Sequence, residues 1–167
     1  MQGLVDSTPS AVPIHPVTPD TLGAWLDGQD ARVKRWIAAH GFTGDPDKVL
    51  VVPAEDGGMD AVLYGRGKGE GPWPWAALRG QLPAGTYALE GVDDVETGEH
   101  AAVAWALAGY RFTRYKANES PQAELVWPRG DHGRIARLAT GVCLARDLVN
   151  TPAEDLGPEE LAGALED

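Results

Sequence analysis

Cysteine is nearly absent from this chain. Cys143 is the single one among 167 residues, so no intrachain disulfide can form and the fold must stand on its core. Long apolar runs are missing too. No stretch nears the roughly 20 apolar residues that a membrane-spanning helix needs. Basic charge is scarce: 14 Lys and Arg face 25 Asp and Glu, a formal net charge of −11. Such a field repels phosphate backbones and anionic lipid. Neither nucleic acid nor a membrane is therefore expected as a partner. The first ten residues hold no Lys or Arg and no apolar centre, so they lack the features of a secretory signal. Residues 1–10 read as a disordered lead-in, and the chain as a cytoplasmic protein.

Patterns that carry chemistry are equally few. His15, His40, His100 and His132 lie far apart, and none belongs to a His-Glu-x-x-His zinc pair. Glu99-His100 reads as an exposed pair on a helix. No Gly-x-Ser-x-Gly elbow occurs. Cys143 sits in a helical pattern with no activating neighbour in sequence and reads as a structural thiol. The expectation is a chain with no catalytic residue, no metal ligand and no cofactor of its own.

What is present describes a globular domain. Hydrophobic residues make up 43% and charged residues 23%, and the length suits one domain with a short appendage. Residues 11–17 read as a strand broken by prolines. Thr18-Pro19-Asp20 opens a helix, with Thr18 as cap and Pro19 in the first turn. Residues 29–39 form a second helix, with Val33, Trp36 and Ile37 on one face and Gly41 as its left-handed stop. Residues 48–53 and 59–64 are strands joined by Asp56-Gly57-Gly58, paired as a hairpin or as neighbours in a larger sheet. Residues 73–79 give one or two helical turns, and 86–90 another strand.

A helix is expected over 99–112, with Ala101, Trp105, Ala108 and Phe112 inward. Residues 123–127 form a strand closed by Pro128. Asp131 caps a long helix to Val149, with Ile135, Leu138, Val142, Ala145 and Val149 in a stripe. Pro152 stops it, and 159–165 starts one more. Strands interleaved with helices predict an α/β fold with a central mixed sheet. The domain would span 11–149, and 150–167 would be a linker and the start of something further.

Three segments invite function. Gly65-Arg66-Gly67-Lys68-Gly69-Glu70-Gly71 follows a strand, the context of phosphate loops. Both glycine fingerprints fail in it, because Glu70 and Pro72 stand where Gly is needed and Gly69 follows Lys68. It reads as a surface loop, with a nucleotide or anion cradle as the alternative. Arg111, Arg114 and Lys116 alternate with aromatics, as single-strand binders do, but they also suit the negative end of a helix. Trp73 and Trp75, flanked by Pro72 and Pro74, are candidates for a contact surface.

The stretch Ala104-Trp105-Ala106-Leu107-Ala108-Gly109-Tyr110-Arg111-Phe112, with Arg114-Tyr115, resembles the end of the amino-terminal domain in leucyl (cytosol) aminopeptidases. Residues 145–161, Ala-Arg-Asp-Leu-Val-Asn-Thr-Pro-Ala-Glu-Asp-Leu-Gly-Pro-Glu-Glu-Leu, are similar to that family's junction with its catalytic domain. Arg146, Asp147, Asn150, Thr151 and Pro152 carry that match. The resemblance implies a macro-domain-like, non-catalytic domain that aids subunit arrangement or substrate access. Its parent would be a cytoplasmic homohexamer and a two-metal (Mn or Zn) peptide hydrolase, with the metals in a further domain. The family signature Asn-Thr-Asp-Ala-Glu-Gly-Arg is mimicked at 150–156. However, Pro152 replaces a ligand Asp, Asp155 replaces Gly and Leu156 replaces Arg. A side chain with no oxygen cannot ligate these metals, so Glu154 reads as a solvated carboxylate.

Overall fold

The structure is a computed structural model that describes residues 3–116 and 122–164. Six strands form one sheet in the order β1-β6-β5-β2-β4-β3: β1 Leu4–Val5, β2 Val12–Val17, β3 Val49–Pro53, β4 Met59–Gly65, β5 Gly85–Leu89 and β6 Ala123–Val126. All neighbours are parallel except β3 and β4, which pair antiparallel as a hairpin. This is the mixed α/β sheet expected.

Helices cover both faces, so the central strands must be apolar on both sides. β4 shows this plainly. Val62 and Tyr64 point into one core and Ala61 and Leu63 into the other. The smaller core lies under α1 (Pro19–Asp27) and α2 (Ala31–Ala39) and contains Leu22, Val33 and Ile37. Asp30 caps α2 by accepting the Val33 N–H at 2.8 Å, and Gly41 at φ +60° follows its end. Trp36 donates its indole N–H to the Val51 carbonyl at 3.0 Å, which ties α2 to the hairpin.

The larger core lies under α3 (Val95–Ala108) and α4 (His132–Asn150). Tyr87 and Trp105 pack ring to ring at its centre. Two 3-10 turns, Trp73–Trp75 and Arg79–Gln81, pack against α3, with Trp75 and Leu78 in this core. A short helix α5, Pro158–Ala164, follows α4; Leu165 lies outside the described residues.

Several expectations are corrected. Within the lead-in, Leu4 and Val5 extend the sheet, and the Leu125 N–H donates to the Gly3 carbonyl at 2.8 Å. Backbone pairing organises this segment despite its polar composition. α3 starts a turn earlier than expected, because the Asp94 carboxylate accepts the Glu96 and Thr97 N–H groups. It ends at Gly109, so Phe112 lies beyond it. Glu99 is not a solvated partner of His100: it accepts the Asp131 N–H at 2.9 Å and pairs with Arg134. That carboxylate joins α3 to the start of α4.

Candidate functional site

α3 stops with carbonyls that have no partner within the helix. Arg146, one turn before the end of α4, donates to the Leu107 carbonyl at 2.9 Å, with its guanidinium 5.3 Å from the Tyr110 ring centre. The Tyr110 hydroxyl donates to Asp147 at 2.7 Å and accepts from the Asn150 amide at 3.1 Å. Desolvation, then the Asp147 hydrogen bond, hold this phenol above its ordinary pKa, so it stays a proton donor. Thr151 is buried and donates to the Asp147 carbonyl at 2.7 Å, while the Tyr115 hydroxyl bonds the Asp155 carboxylate. Pro152 is exposed, and its carbonyl accepts the Asp155 N–H at 2.9 Å. The two segments singled out in the sequence therefore grip each other. Together they fix the direction in which the chain leaves α4.

The same contacts involve residues of the mimic at 150–156. Asn150 and Asp155 are bonded to tyrosines and Glu154 is exposed. Among the described residues no three His, Cys, Asp or Glu side chains could hold a metal ion. A two-metal centre needs several converging carboxylates, and the residues present do not fit one. Cys143 is half-buried, and burial pushes its thiol up, away from the thiolate that reactivity requires. Three histidines pack on indoles: His15 on Trp25, His40 on Trp36 and His132 on Trp127. Arg111 donates to the Tyr110 carbonyl at 2.9 Å, and Arg114 lies over Tyr115. These cations serve the end of α3 and its following loop; Lys116 is exposed. No helix among the described residues is long and apolar enough to cross a membrane.

The stripe on α4 is only partly covered. Ile135 and Ala139 are buried, whereas Leu138 is 47%, Val142 39% and Val149 86% exposed. A shallow cavity of about 400 Å³ runs along this face past Gly141, Ala145 and Asn150. Trp73 is 79% exposed. Trp75 is corrected: it is 2% exposed, packed on Tyr64 beneath Arg66, and offers no surface.

The glycine-rich loop owes its glycines partly to packing. A Cβ on Gly65 would lie 1.8 Å from the Asp45 carbonyl oxygen, and one on Gly69 would lie 3.3 Å from Pro74. Lys68 pairs with Asp20 at 2.9 Å on the surface. Sequence reasoning missed Arg79. It is buried, donates to the Trp105 carbonyl at 2.9 Å and to Gln122 at 3.0 Å, and fills a space that Cβ atoms on Gly3 or Gly109 would invade. Only its neighbours in the fold, remote in sequence, identify it.

Comparison with known proteins agrees with this arrangement. The profile described as M17 aminopeptidase, N-terminal domain, matches residues 12–128. A probable cytosol aminopeptidase of Methylobacterium radiotolerans is 35% identical over 170 residues, which cover 86% of this chain and 33% of that protein. The crystal structure of a cytosol aminopeptidase from Coxiella burnetii superposes with a TM-score of 0.89 at 34% identity, over 99% of this chain and 37% of that one. The bottromycin maturation enzyme BotP gives 0.63 at 27% identity, over 94% of this chain and 36% of that one. This chain thus spans about a third of the proteins it resembles. It belongs to the M17 aminopeptidase family, as that family's N-terminal domain.

Proposed function

We propose that this chain is the non-catalytic domain of a cytoplasmic, metal-dependent leucyl aminopeptidase, and that the open face of α4 seats the catalytic domain. Residues 11–149 would form the working unit and 150–167 the passage to its neighbour. One observation carries the reading. An apolar stripe that stays exposed on α4 runs directly into a hydrogen-bonded junction that sets the chain's exit. Exposed contiguous apolar surface of this kind marks an interface. The two divalent metals and the peptide chemistry would reside in that second domain. Trp73 would contact a neighbouring subunit of a homohexamer, and the domain would arrange subunits or limit access of substrate. The test is hydrolysis of leucinamide by the 167-residue chain with and without Mn²⁺. The expected result is no turnover under either condition. Turnover that scales with protein and metal would overturn the proposal.

A further inference from the structure

β2 lies between β4 and β5. The chain first adds strands on the β4 side, then crosses to β5 and β6 on the other. In open α/β sheets, the crevice outside the carboxyl ends of the strands at such a crossing is the place where ligands bind. Here those ends are Val17, Gly65 and Leu89. Two cavities of about 270 and 250 Å³ open above them and share Arg66 and Thr97.

Arg66 is held from below. Its backbone N–H donates to the Val17 carbonyl at 2.8 Å, and its guanidinium sits 5.5 Å over the Trp75 ring. Its Nε is buried and has no hydrogen-bond partner among the described residues. The residue lines both cavities, and an oriented guanidinium there suits a planar carboxylate. Glu70 and Glu96 line one cavity together with His100 and Lys68, whose charge is paired with Asp20, and Asp93 and Asp94 line the other. Asp94 already occupies the amides at the start of α3, so that helix end gives a phosphate little to bind. Four carboxylates outnumber Arg66 and the paired Lys68 here, which disfavours a dianion and attracts an ammonium. At about 270 and 250 Å³, each cavity has room for one molecule of amino-acid size at most.

We propose that this crevice binds a free α-amino acid as its zwitterion, with the carboxylate on Arg66 and the ammonium facing Glu96 and Glu70. Amino acids are what an aminopeptidase releases, so in the parent enzyme this would be a product-sensing site, a role that rests on the family reading above. Binding itself is tested without activity. Calorimetry on the 167-residue chain compares leucine, N-acetyl-leucine, leucinamide and inorganic phosphate. Leucine is expected to saturate with a Kd below about 1 mM, and blocking either of its ends is expected to weaken binding at least about tenfold. Arg66→Gln removes binding while the circular dichroism spectrum is kept. Exposed Glu96→Gln weakens it about tenfold, which decides the matter should the Arg66 variant unfold. Absence of saturable leucine binding, or equal binding of phosphate or N-acetyl-leucine, overturns the site and leaves the peptidase test untouched.

Discussion

α3 and α4 carry the same kind of sequence and meet different fates. Each is capped by an aspartate and each repeats apolar residues at helical spacing. On α3 the inward residues Ala101 and Trp105 are 3% and 2% exposed; on α4 the stripe begins with Ile135 at 1% and ends with Val149 at 86%. Periodicity states which face of a helix should leave water. It does not state whether the covering surface belongs to the same domain. α4 is the last long element of this sheet domain, and among the described residues its outer half is left uncovered. This chain spans about a third of the relatives it matches, and the uncovered half is where the proposed further domain would sit.

The contrast can be broken most strongly at α3. Trp105→Ala empties the centre of the larger core and should lower the unfolding free energy by about 4 kcal/mol in urea titration. A shift below about 1 kcal/mol would mean that this core is not packed as described. Gly109→Ala drives a methyl group to 1.7 Å from the Arg79 guanidinium and should cost about 2 kcal/mol. Tyr110→Phe removes the bonds to Asp147 and Asn150 that bind α3's exit to α4, for about 1 kcal/mol. On the other half of α4, Val142→Ser or Val149→Ser should stay within about 0.5 kcal/mol in the same assay.

Acid gives a control in which the two helices should behave alike. Hydrogen bonds from Thr97 hold the Asp94 carboxyl below its ordinary value, and the Arg134 N–H does the same for Asp131. A depressed folded-state pKa contributes stability above the unfolded pKa of about 4 and loses it as pH falls through the folded value. Asp94→Asn and Asp131→Asn should each flatten the loss of Tm between about pH 5 and pH 2. Unchanged acid profiles would show that the caps do not contribute.

Much of the fold was legible because it is local. The apolar run of β4, the face of α2 and the Gly41 stop follow from short-range rules. β1 was missed because a two-residue strand has no period to read, and only its partner β6 defines it. The start of α3 was misplaced because Asp94 caps it upstream of the recognisable apolar pattern. Trp75 looked exposed between prolines, yet the 3-10 turn folds it under Arg66. At the junction, Arg146, Asp147 and Asn150 were found as a motif. Their partner Tyr110, about 40 positions earlier in the chain, became visible as such only in three dimensions.

The central claim, that the outer face of α4 is an unfilled domain interface, has one direct measurement. Val142→Asp with Val149→Asp is placed in this chain alone and in the same chain continued by an M17 catalytic domain, and thermal unfolding is compared. The account predicts little change in the chain alone and a drop of several degrees, with faster amide exchange along α4, in the longer protein. An equal drop in both, or none in either, would contradict it.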